Sequence, residues 1–167
     1  MVLQKVGGGG KTYRLADNLS TDYKDFTELD ELWNQQLVDN QQIMEVIAAS
    51  DETMDLHART PFVMDAVSAS STARDAIWNS DLAFDAVAAV NMAIGKYAVG
   101  YAGLDPSAYA DMDAVSTSST AMDAVSTSST AMDAVSTSST AMDAVSTSST
   151  AMDAVSTSST AMDAVST

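Results

Sequence analysis

From Asp111 to Thr167 the chain is one decapeptide said repeatedly: DMDAVSTSST, then AMDAVSTSST four times without a change, then AMDAVST. Identical copies present the same side chains in the same order, so no copy holds a unique catalytic constellation. Repetition builds length instead, because each unit packs on its neighbours and the array needs no single central core. A ten-residue period therefore constrains the fold more than any other property of this chain.

The period reaches upstream in worn form. Met44-Glu45-Val46-Ile47, Met54-Asp55-Leu56-His57 and Met64-Asp65-Ala66-Val67 keep steps of ten. Arg74-Asp75-Ala76-Ile77 and Phe84-Asp85-Ala86-Val87 continue them, and Ile94-Gly95-Lys96-Tyr97 is the last degraded copy. Met112 then arrives two residues short of two further periods. Gly100, Gly103 and Asp105-Pro106 mark that phase break with loop-forming residues. Four regions result: a head or cap over 1–42, divergent repeats over 43–97, a joint over 98–110 and uniform repeats over 111–167. Identity at this level points to recent duplication or deliberate construction, and stopping in mid-repeat is what a trimmed array would do.

The head reads differently. Gly7 to Gly10 form a flexible stretch, and Lys11 to Leu15 suit a short extended segment. Phe26, Leu29, Trp33 and Leu37 recur at three and four, an amphipathic helix that Thr21 or Asp22 would cap. Such a helix is expected to pack on the first repeat; a docking head for another protein is the alternative.

Three folds compete for a ten-residue period. A continuous helix turns about 1000° in ten residues, so its apolar stripe lags by about 80° per repeat and soon circles the helix. Half of each repeat is Ser or Thr besides, which suits a helix interior poorly. A β-solenoid keeps its faces, since ten is even, but sets Asp123 beside Val125 on one face. That fold stays open as the alternative. A short helix and a tight turn in every repeat accounts for each position. Thr120 and Asp123, like Thr130 and Asp133, have capping-box spacing, with Asp in place of the usual Glu or Gln. Ser116 to Ser119 would then make the turn. The expectation is a mainly α, solenoid-like array of short capped helices in an elongated fibre.

Its continuous inner seam is expected to run through Met64, Val67, Ile77, Phe84 and Val87, then Met112, Val115, Met122, Val125, Met132 and Val135. One repeat buries too little apolar surface to offset the entropy of ordering it. Packing on neighbouring copies is required, and a homo-oligomer or filament of identical chains is the expected state.

Chemistry finds little footing. There are 23 acidic and 7 basic residues, a net charge of −16, and no basic residue follows Lys96. An anionic surface of this kind disfavours nucleic acid and anionic membrane as partners. With no cysteine, disulfides and thiolate metal sites drop out. His57, the single histidine, occupies a slot that elsewhere holds Val or Ile, so a partly buried repeat variant outweighs a lone base or ligand. The ladder Asp113, Asp123, Asp133, Asp143, Asp153 and Asp163 offers one carboxylate per repeat, whereas calcium wants 6–8 clustered oxygens. Ser118, Ser119 and Thr120 lack a histidine partner for nucleophilic catalysis. Gly7 to Gly10 with Lys11 and Thr12 only superficially match a phosphate loop. No catalytic, cofactor-binding or metal site is expected. The N-terminus shows no apolar signal core and no run long enough to span a membrane. Release by lysis or a dedicated apparatus is expected if the protein works outside a cell.

Tyr101-Ala102-Gly103-Leu104-Asp105-Pro106 running into Ala110-Asp111-Met112-Asp113-Ala114-Val115, and the tandem Ser-Ser-Thr-Ala-Met-Asp-Ala-Val units, resemble segments of tail-fibre and related virion proteins of tailed bacteriophages. The resemblance covers residues 43–167 and rests on low-complexity text. It implies a repeat shaft or adaptor in a virion or an extracellular fibre, with other virion proteins reached through residues 1–42. That family usually varies its repeats, and the unvaried tail departs from it. A Ser/Thr-faced solenoid that binds ice or surface glycans is the rival from another class.

Overall fold

A computed structural model describes residues 2–5, 13–16 and 37–166. Two short strands, β1 (Val2–Lys5) and β2 (Tyr13–Ala16), pair antiparallel with Val2 opposite Ala16 and Lys5 opposite Tyr13. Phe26, Leu29, Trp33, the caps proposed at Thr21 or Asp22, and Gly7 to Thr12 lie outside the described residues; Leu37 is buried.

From Asn40 to Ser166 the chain is helical repeat, interrupted by the joint after Tyr101. The divergent half comprises α1 (Gln41–Ala48), α2 (Asp51–Ala58), α3 (Pro61–Ala69), α4 (Ser71–Trp78), α5 (Asp81–Ala88) and α6 (Asn91–Tyr101). After a single 3-10 turn at Pro106–Ala108 come α7 (Met112–Thr117), α8 (Ser119–Thr127), α9 (Ser129–Thr137), α10 (Ser139–Thr147), α11 (Ser149–Thr157) and α12 (Ser159–Val165). Each repeat is thus a helix and not a strand. The array begins at Asn40, whose side chain caps α1, so α1 crosses the 42/43 boundary read from sequence.

One residue makes each corner in the uniform half. Ser118 has φ −94° and ψ 113°, an extended conformation between two helices. Its amide still donates to the Val115 carbonyl at 3.1 Å, and its carbonyl accepts from the Met122 amide at 2.9 Å. The corner residue's own amide and carbonyl are therefore both paired through the turn, as buried backbone groups must be. Consecutive helices α5 and α6 meet at a bend of 113°. Three corners of that size bring the chain nearly full circle. Helix n+3 returns onto helix n: α4 lies on α1, α5 on α2, α6 on α3, and likewise α10 on α7, α11 on α8 and α12 on α9. The result is an elongated, mostly α-helical repeat protein with three short helices per coil.

The core follows from that geometry. Counting from the corner residue, the third, fourth and seventh positions share one helix face. In α8 these are Ala121, Met122 and Val125, all fully buried. The fourth and eighth positions, Met122 and Ser126, form the edge toward the next coil. The sixth, on the opposite edge, faces the previous coil, as Ala144 and Ala154 do.

The joint fuses two arrays. Helix α6 continues through Tyr101, so the boundary read at 98 falls inside it. It ends in a Schellman motif: Gly103 sits at φ +76°, its amide bonds the Gly100 carbonyl, and the Leu104 amide reaches Val99 at 2.9 Å. Ala93 through Gly100 are all buried, because α6 has α3 on one side, α9 on another and α7 against its middle. A Cβ on Gly95 would meet the Met112 amide, and one on Gly100 the Ser68 carbonyl. The joint also reverses the chain's direction. Ser128, which begins α9, points at the Tyr101 carbonyl, while Ser138, which ends it, bonds Ala88 just before α6. Helix α9 thus runs antiparallel to α6, whereas within each array the corners stack in the same direction.

Candidate functional site

The recurrent chemical unit is the corner serine. In Ser148 the hydroxyl oxygen accepts from the Ala151 amide at 3.3 Å, capping α11. The same hydroxyl donates to the Ser116 carbonyl at 2.6 Å, one coil away. Ser158 repeats the arrangement, with Ala161 as amide donor and the Ser126 carbonyl as acceptor at 2.5 Å. In the divergent half Ser80 caps α5 through Ala83 and donates to Ala48 at 2.8 Å. A hydroxyl is both donor and acceptor, so one small side chain can start a helix and tie it to the coil beneath. Neither Asp nor Ala offers both functions at neutral pH.

This corrects the capping assignment read from sequence. Thr120, Thr130, Asp123 and Asp133 are not N-caps; Ser118 and Ser128 are. Because one extended residue suffices for the corner, the helix begins two residues earlier, and Thr120 and Thr130 fall in its first turn. Asp123 and Asp133 sit in mid-helix with exposed side chains. Their backbone carbonyls do the bonding: Asp123 accepts from Ser126 at 3.2 Å and Thr127 at 3.0 Å, and Thr127 also contacts Ala124. Ser116 and Thr117 are helical where a turn was expected, and their hydroxyls bond back onto the Asp113 carbonyl. In α7, Asp111 does serve as cap, accepting from Ala114 at 2.9 Å.

The expected seam residues come together in the interior. Met64, Val67, Ile77, Val87, Met112, Val115, Met122, Val125, Met132 and Val135 are all buried. Phe84 is only half-buried, packed edge-on against Trp78 with ring centroids 5.2 Å apart and tilted against Tyr97. The seam expected from sequence leaves out two contributors. Alanine at the third position, Ala121 and its copies, is fully buried, because only a methyl fits where helices cross closely. Lys96 is the other: its ammonium donates to Asp65 and to the carbonyls of Pro106 at 3.1 Å and Tyr109 at 3.0 Å. It occupies the sixth position, where other repeats carry Ala or another apolar residue, and that substitution was its only signal.

His57 is buried within α2. Removal from water holds its imidazole down at about 4, against its ordinary 6.5. A neutral, buried imidazole in a valine slot fits a core position. Among the described residues no three His, Asp or Glu side chains gather closely enough to hold a metal ion. No single described helix is long and apolar enough to cross a membrane. No protein-family model, no curated protein and no solved structure matches the chain. What the fold and these contacts define is a class: an elongated helical-repeat protein whose repeated side chains are used to hold coil to coil.

Proposed function

We propose that this protein is a non-enzymatic structural element, a rigid shaft or adaptor that sets distance, of the kind found in bacteriophage tail fibres and located in a virion or extracellular fibre. The observation that carries the reading is the use of the repeat's own hydroxyls. Ser126, Thr127, Ser148 and Ser158 all donate to carbonyls of the chain itself. Those hydroxyls are taken up within the chain, which leaves the rival only the exposed Ser119 and Thr120 and their copies as a binding row. The phage assignment rests on the sequence resemblance.

A shaft has a length that follows its repeat number. Adding three decapeptides to the uniform half adds one coil, which should lengthen the particle by about 8–10 Å, the spacing of packed helices. Small-angle scattering on chains with three and six added repeats measures this directly. A maximum dimension that stayed constant, or one that grew by more than the coil spacing because the added repeats formed an unfolded tail, would remove the shaft reading.

A further inference from the structure

The two outer edges of the array are open in a way its own interior explains. Met122 and Met132, at the fourth repeat position, are fully buried, yet the identical Met152 and Met162 are 47% and 46% exposed. Ser126 is buried, while Ser156 at the same position is exposed. Sequence cannot account for the difference, because the repeats are identical. The next coil accounts for it: α11 lies on α8, and no described helix lies on α11. The opposite edge shows the converse pattern at the sixth position. Ala144 and Ala154 are buried there against the coil before, but Val46 and Leu56 are 52% and 65% exposed. These are large apolar side chains where inner repeats carry alanine, and exposed apolar patches of this kind mark contact surfaces.

The inter-coil hydrogen bonds show the same vacancy. The carbonyls of Ser116 and Ser126 accept from corner serines of the next coil. Their copies on Ser146 and Ser156 receive no corner serine among the described residues. On the other edge Ser50 stands where Ser80 stands one coil later, and its hydroxyl turns back to Thr53 at 2.8 Å.

We propose that a second copy of this chain seats the α1–α2 edge, Val46 and Leu56 foremost, on the α11–α12 edge, Met152 and Met162 foremost, extending the stack head-to-tail. This rests on the shaft reading and names the surface by which shafts join. The junction continues the coil-on-coil interface of the interior, because in both arrays the corner-serine edge of one coil meets the carbonyl edge of the one before. Flexible methionine side chains accommodate the bulkier Val46 and Leu56 where alanine packs inside. Two unlike edges that pair make a heterologous contact, which grows into filaments unless it closes on itself. Two exposed apolar side chains on each edge make a small contact, so the junction is expected at micromolar concentrations or above.

Sedimentation velocity of the 167-residue chain tests this, with circular dichroism confirming equal helix content in each variant. Across about 1 μM to about 1 mM, a range bracketing weak affinities, the weight-average mass should rise without a plateau. V46E with L56E, and M152E with M162E, should each leave a monomer. An equimolar mixture of the two double variants should form a heterodimer and nothing larger, since each retains one intact edge. Serine in place of glutamate serves if either variant loses helix. A chain that stays monomeric, a mass that stops at dimer, or a variant mixture that fails to pair would each overturn the head-to-tail junction. A monomer whose length still followed repeat number would leave the shaft reading standing, so the two can fail separately.

Discussion

Two residue types carry more of the architecture than their size suggests, and the first is the corner serine. Ser148 loses two bonds on truncation, the cap to Ala151 and the donation to the Ser116 carbonyl. S148A should therefore cost about 1–3 kcal/mol, a cap and a buried hydrogen bond together. Ser149 is exposed and makes neither bond, so S149A should move the urea midpoint little. Equal effects from the two variants would mean that the corner hydroxyl is not the tie. His57 makes the second residue-scale prediction. Its folded value is depressed to about 4, below the unfolded 6.5, so the unfolded chain binds the proton first. The neutral fold is favoured in full above the unfolded value, and that contribution is lost progressively as pH falls from about 6.5 toward 4, by up to ~3 kcal/mol. H57V puts back the residue type of neighbouring repeats and should flatten stability across that window. Urea titrations at several pH values measure the slope.

At the scale of elements, α6 is the piece that could not be an ordinary repeat. It is enclosed on every side, and its two glycines mark where α7 and α3 come too close for a methyl group. Gly100→Ala drives a Cβ into the Ser68 carbonyl, which is backbone and has little room to move. Overpacking of this sort should cost about 1–3 kcal/mol, visible as a lower melting temperature with little change in helix content at low temperature. The same substitution at Gly103 meets no atom within 4 Å. Its penalty comes instead from the left-handed backbone at φ +76°, roughly 1 kcal/mol. Lys96 locks the element from the other end, joining α3 to the 3-10 turn through Asp65, Pro106 and Tyr109. A reversal of chain direction is built around these contacts, and no repeat in either array contains their equivalent.

For the whole molecule, identical sequence with different burial gives a measurable gradient. Met122 and Met132 are sealed, Met142 is half-buried, and Met152 and Met162 are open. Among the described methionines peroxide should oxidise the last two fastest, because sulfoxide formation follows access to the thioether. Intact-mass spectrometry at low protein concentration should show a fast uptake that M152L with M162L reduces by two oxygens. If the leucine substitutions left the fast phase unchanged, α11 and α12 would not form the open end of the stack. A related consequence concerns cooperativity: each coil touches only its neighbours, so stability should grow with the number of coils.

The ten-residue period, the helix in each repeat and the Met/Val interior were legible in the chain, because they depend on local spacing. Asp123 beside Val125 disfavours a clean strand face, though the pattern alone left a β-solenoid open, and Met122 with Val125 makes a helical stripe. The cap was not legible to the residue. Ser118 and Thr120 are both competent, and the choice depends on how few residues a corner needs. Three helices per coil was out of reach as well, since it follows from a bend of 113° at a backbone corner, an angle no side chain states. The second duty of Ser148, and the difference between Met122 and Met152, come from contacts with residues some thirty positions away. Local sequence decided what each repeat becomes; only stacking decided which of its identical side chains are covered, because burial belongs to the neighbours and not to the residue.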